Sequence, residues 1–217
     1  NMLPLMSDNQ MNVEQHADIK DFITTRQMNR TALVGSTDNN RDIIENSFVR
    51  LLRTLETHLT ENQFLLGNRP GRGDFGLFGQ FSQLFFWEPD SSLIAARRSP
   101  RSVIWAYQVD DLSSLEIGET DGWFTRDKLP ESLLDLLSEI GGTYAPFLIA
   151  NEQAIEAGDP ELSCLIEGRE YKQAPFAYQN KCLSWIREAF RQLSADNQDA
   201  VTQILSGTGC EVLIADV

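Results

Sequence analysis

Apolar residues recur at helical spacing along most of the chain, most clearly from Ile44 to Leu59. Ile44, Phe48, Leu51, Leu52, Leu55 and Leu59 share one stripe, with Arg50, Arg53 and Glu56 outside it. That spacing predicts an amphipathic helix ending near His58. Before it, Val13 to Val34 reads as a helix with a rather polar exterior. The "GSTDNN" that follows supplies turn and cap residues, with Ser36, Thr37 and Asp38 each able to accept from free helix N–H groups. "GDFGLFGQFSQLFFW" is apolar almost all round, so this helix is expected to run through the middle of a bundle. "PDSSLIAARR" and "SPRSVIWAYQVDDLSSL" read as two shorter helices, with Pro100 suited to the first turn of the second.

A turn-rich break, "EIGETDGWF", marks a candidate subdomain boundary near residues 116–124. Beyond it, "LPESLLDLLSEIGGTYAPFLIANEQAIEAG" is helical in pattern, but Gly141, Gly142 and Pro146 predict a kink or two helices. "ELSCLIEGREYKQ" reads as a hairpin turning near Glu167 and Gly168. A last pair of helices follows, with Tyr178, Cys182, Trp185, Ile186, Ala189 and Phe190 on or near one face of the first and Gly207 capping the second. The expected fold is all-α. A helical bundle spans 13–122, and a helical extension with a β-hairpin near 161–173 spans 123–217. Residues 1–12 are expected to be a disordered or tag-derived start.

Charge narrows the partners. With 18 basic against 32 acidic residues the chain carries a formal charge of −14, which repels nucleic acid and anionic membrane and favours solubility. Neither is expected as a partner. Three cysteines, Cys164, Cys182 and Cys210, cannot pair completely and lack metal-site spacing, so a reducing, cytoplasmic setting is the simplest expectation. No apolar run reaches the roughly 18–20 residues that span a bilayer. The opening "NMLPLMSDNQMN" has neither the basic nor the long apolar segment of a secretory signal.

The glycines of "FLLGNRPGRGDFGLFGQF", Phe64 to Phe81, raise the question of a phosphate cradle. A P-loop needs a strand before it and Lys-Ser/Thr after its last glycine, and a dinucleotide fingerprint needs a βαβ unit. Neither pattern is present, and Arg72-Gly73-Asp74 is a chance tripeptide. The better reading is a helix start, with Gly71 as N-cap and Asp74 three residues on at the positive helix end. His16 and His58 are expected on polar, solvated helix faces, and no metal site or nucleophile elbow is expected. Cys182 reads as a buried, inert thiol. Arg97, Arg98 and Arg101 read as complementing the carbonyl end of the preceding short helix.

The Phe64–Phe81 stretch resembles the motif that opens the central helix of the C-terminal domain of cytosolic glutathione transferases. That pattern has Phe-Leu-x-Gly, a Ser or Thr cap, and an Asp three residues later. Downstream, Pro100, Arg101 and Trp105 resemble the family's Pro-Arg…Trp segment. The likeness covers roughly residues 13–115, and Gly71 departs from it by replacing the hydroxyl cap. By resemblance, the first helix would line a co-substrate pocket with Phe22, Arg26 and Arg30, although Phe22 could equally be core and the arginines solvated. The resemblance also implies a homodimer formed partly through the first two helices, and glutathione as the parent protein's thiol substrate. No thioredoxin-like domain is legible, so the glutathione site and catalytic residue are expected outside this chain, which alone would carry no catalytic residue or cofactor. The rival expectation is a non-catalytic protein-interaction module, with Tyr144, Phe147, Phe176, Tyr178, Trp185 and Phe190 as a partner surface.

Overall fold

The computed structural model describes residues 13–116, 118 and 122–215, with residues 13–16 and 29 described by backbone alone. The expected start over 1–12 lies outside the described residues. Among those described, the order is α1 Val13–Thr31, α2 Arg41–His58, α3 Arg72–Ser82, α4 Pro89–Arg98, α5 Pro100–Asp110, α6 Glu131–Ala157, β1 Leu162–Ile166, β2 Arg169–Gln173, α7 Ala177–Arg191 and α8 Ala195–Leu205. The chain is mostly helical with one small antiparallel sheet, as its apolar spacing predicts.

The stripe on α2 turns inward as its spacing requires except at Ile44, which is 37% exposed while Ile43, outside the expected stripe, is buried instead. Leu52 and Leu55 are fully buried in a core shared with Phe64, Phe81, Trp105 and Leu136. Phe81 sits at its centre, 6.4 Å edge-on to Phe48, 6.3 Å edge-on to Trp105 and 4.5 Å from Phe85 between ring centroids. Those are the separations at which aromatic quadrupoles favour tilted and T-shaped pairs.

The apolar segment after Gly71 departs from expectation. Its regular helix stops at Ser82, and Gln83–Trp87 form a π-helical turn. Phe81 and Phe85 turn inward, but Phe75 and Trp87 remain half-exposed. Helix α3 packs along α5 and leaves its far side to solvent, so it flanks the bundle rather than threading it.

Helix α6 is a single continuous element of 27 residues, not two. Pro146 removes only one intrahelical donor, and a side chain at Gly142 would meet nothing closer than Glu167 Oε1 at 3.8 Å. Gly141 has a tertiary reason: a Cβ there would lie 2.0 Å from the Thr208 carbonyl oxygen, so only glycine lets the 208–210 backbone lie against the helix. By length and composition α6 is the one described helix long and apolar enough to cross a membrane. Here it packs on α2, β1, α7 and the Cys210–Leu213 turn.

The hairpin forms as the sequence suggests. Ile166 pairs with Arg169 and Leu162 with Gln173, and Glu167 (φ 53°) and Gly168 (φ 72°) make the turn. Two consecutive left-handed residues match the twist of a two-residue hairpin. Leu162, Ile166 and Tyr171 bury the inner face together with Ile43 of α2 and Ala154 of α6.

Candidate functional site

Asp74 is the polar centre of the bundle. It is fully buried at the third position of α3. Its Oδ2 accepts from the Gly71 N–H at 2.9 Å. Its Oδ1 accepts from the Leu65 N–H at 3.0 Å and from the Trp105 indole N–H at 3.1 Å. The carboxylate thus holds the helix start, the incoming loop and α5 at one point. The glycine at the cap also has a packing reason. A Cβ on Gly71 would press on the Trp123 ring at 3.2 Å, so a hydroxyl-bearing cap would crowd the loop laid over it.

His58 corrects the reading of a solvated helix face: it is fully buried. Its Nδ1 lies 2.9 Å from Ser132 Oγ and its Nε2 lies 3.3 Å from the Phe64 carbonyl, with Phe124 edge-on. Nε2–H donating to the carbonyl and Nδ1 accepting from Ser132 satisfy both nitrogens of a neutral ring. Burial pushes its pKa down, against the pull of the Phe64 and Leu65 backbone and the Asp74 charge. The side chain of His16 lies outside the described residues.

Arg97 and Arg98 occupy the last turn of α4, as expected. Arg101 does something else: its backbone N–H donates to Glu56 Oε2 at 3.0 Å and its guanidinium pairs with Glu56 Oε1. Ser99 Oγ donates to the same carboxylate at 3.1 Å, so Glu56 of α2 caps α5 from a neighbouring helix.

The pocket residues implied by the resemblance lie together on α1. Phe22, Arg26 and Arg30 are four residues apart and so share one helix face, and all three are exposed, Phe22 by 64%. Phe22 is therefore not part of the described core. None of the three lines a described cavity.

The best-formed apolar cleft lies elsewhere, between α2, α6, the hairpin and the start of α7, with a volume of about 260 Å³. Ile43, Ile44 and Phe147 form apolar walls, and Tyr144, Tyr171 and Gln179 bring polar atoms to it. The Tyr144 hydroxyl donates to Gln179 Oε1 at 2.5 Å and the Tyr171 hydroxyl to Gln173 Oε1 at 2.7 Å. Burial pushes the Tyr144 pKa up to about 12, with Cys182 and Tyr178 adding to the shift, and also raises that of Tyr171. Both phenols are therefore neutral at physiological pH. Sequence spacing could not reveal this cleft, because its walls come from residues 34 to 179.

Neither Cys164 nor Cys210 is set up as a nucleophile. Cys210 is buried and donates to the Leu137 carbonyl at 3.1 Å, and burial pushes its pKa and that of Cys164 up, away from the thiolate. Cys182 is half-buried rather than enclosed. Among the described residues no group of three or more His, Cys, Asp or Glu is placed to hold a metal ion.

Comparison with protein-family models, with curated proteins and with solved structures finds no match to this chain.

Proposed function

We propose that this chain is the co-substrate-pocket and dimerisation domain of a glutathione-transferase-like protein, with the thiol-activating site in sequence outside these residues. The observation that supports it most is the Asp74 junction. The resemblance rests on two motifs whose starts lie 36 residues apart, Phe64–Phe81 and Pro100–Trp105, and Trp105 donates directly to the Asp74 that caps α3. Nothing in the apolar periodicity requires those two residues to touch.

In this reading the open face of α1 closes the site. Phe22 offers apolar contact to an electrophile, and Arg26 and Arg30 favour negative charge as a thiolate attacks it and a leaving group departs. A helical domain supplies the shaped apolar wall, while lowering a thiol pKa needs hydrogen-bond donors in the other domain. Two copies would meet partly through α1 and α2.

A second reading, a non-catalytic interaction module, draws on the exposed aromatics of α7. Tyr178 and Trp185 are each 54% exposed and pair edge to face at 6.0 Å, and exposed apolar groups of this kind are common at partner sites. Calorimetric titration of glutathione into the full-length gene product and into these 217 residues separates the two. Binding by the longer product alone is expected. Binding by neither overturns the transferase reading in favour of the module.

A further inference from the structure

We infer that the cleft between α2, α6, the hairpin and α7 is a binding site for a neutral, ring-bearing small molecule with a carbonyl oxygen. It is separate from the α1 face and does not depend on the transferase reading.

Shape gives the first argument. At about 260 Å³ the cleft falls just under the roughly 300–1,000 Å³ that encloses drug-sized ligands, so it suits a molecule of one or two rings. Its walls are mostly apolar and include Phe147, which stands edge-on to Tyr171 at 5.9 Å and tilted to Tyr144 at 6.0 Å. An aromatic ring seated against them would meet ring faces and edges already arranged for it.

Charge gives the second. In a chain of formal charge −14, none of the residues lining this cleft is charged. Both phenols stay protonated, so neither supplies an anion for a cationic ligand. A charged ligand would be desolvated there without a counter-charge, which disfavours its entry. Only a neutral guest fits.

Hydrogen bonding gives the third. The Gln179 carbonyl is occupied by the Tyr144 hydroxyl, which fixes the orientation of the amide. Among the described residues its –NH2 group has no acceptor, leaving two donors at the cleft wall. A ligand carbonyl is the natural partner. Gln173 differs, because its –NH2 already donates to the Ala174 carbonyl at 3.1 Å.

The probe is a neutral dialkylaminonaphthyl ketone dye, whose emission moves to the blue in apolar surroundings, with an anilinonaphthalene sulfonate as its charged counterpart. The ketone should bind saturably, one per chain, and the sulfonate at least tenfold more weakly. Ile44→Trp, at a lip position 37% exposed, should fill the cleft and weaken ketone binding at least tenfold. Gln179→Leu keeps the shape and removes the donors, and should weaken it roughly three- to tenfold. Circular dichroism of both variants checks that they are folded. Absence of saturable ketone binding, equal binding of the sulfonate, or unchanged binding in the Ile44→Trp variant would each overturn the site. Unchanged binding in Gln179→Leu would overturn the carbonyl assignment.

Discussion

The side-chain amide of Asn40 pairs with the backbone of Lys172 as a neighbouring strand would. Its Nδ2 donates to the Lys172 carbonyl at 2.7 Å and its Oδ1 accepts from the Lys172 N–H at 3.2 Å. The same Nδ2 donates to the Gly35 carbonyl at 2.8 Å, and Asn40 is fully buried. One residue thus terminates the open edge of β2 and ties it to the turn before α2. Asn40→Ala leaves those backbone groups without their partner and should cost about 2–4 kcal/mol in urea unfolding. Amide exchange at Lys172 should speed up more than exchange in α5.

His58 should make stability depend on pH in a definite direction. Its folded pKa lies below its ordinary value because burial disfavours the imidazolium. Above about pH 6.5 both folded and unfolded forms are neutral and the group contributes no slope. As pH falls below that value the unfolded chain takes up a proton that the folded chain resists, so stability declines until the folded pKa is reached. Denaturation at pH 8 and pH 5.5 should show this loss, and His58→Gln should flatten that part of the profile. An unchanged profile in the variant would mean that other groups set it.

Adjacent glycines on α6 should respond oppositely to the same change. Gly141→Ala places a methyl 2.0 Å from the Thr208 oxygen and 2.7 Å from the Gly209 carbonyl carbon. Displacing that backbone should cost roughly 2–3 kcal/mol. Gly142→Ala meets only Glu167 Oε1, at 3.8 Å, and should stabilise by about 0.5–1 kcal/mol through helix propensity. Melting curves of the two variants suffice as the test.

Removing the carboxylate at the bundle centre should be the most damaging single polar change. Asp74→Ala leaves the Leu65, Gly71 and Trp105 N–H groups without their acceptor, a loss of about 3–5 kcal/mol. Trp105→Phe removes only one of the three bonds, together with some packing, and should cost roughly half as much. A small effect in Asp74→Ala would show that the three donors find other partners.

Regular elements were legible because apolar spacing directly encodes which face of a helix is buried. The α2 stripe from Phe48 to Leu59 and the Glu167-Gly168 turn formed where periodicity and turn chemistry place them, whereas Ile43 rather than Ile44 turns inward at the start of the helix. Polar residues in the interior were not legible, since a side chain's polarity does not say whether a partner exists. His58 looked solvated because Thr57 beside it and Thr54 and Glu61 one turn away are polar, yet Ser132 and Phe64 satisfy it across the fold. Asn40 sat in a stretch rich in cap residues, but it makes no side-chain cap at α2 and bonds the hairpin instead. Asn151 likewise accepts from the Phe176 N–H at 2.7 Å and donates to its carbonyl at 3.2 Å. The Gly71–Asp74 start was readable, whereas the Trp123 ring that favours glycine there enters from a distant loop. The cleft was invisible for the same reason.

Helix α6 places Leu136 in the core that holds Leu52 and Trp105, while Ile43 of α2 reaches into the core under the hairpin. Arg50 reinforces the exchange with a two-pronged pair to Glu139, both distances 3.0 Å. The segments on either side of the 116–124 break therefore each complete the interior of the other. Unfolding should be all-or-none, with fluorescence of the buried Trp105 and exchange of the hairpin amides lost together, and cutting the chain at the 116–124 break should leave neither portion able to fold alone.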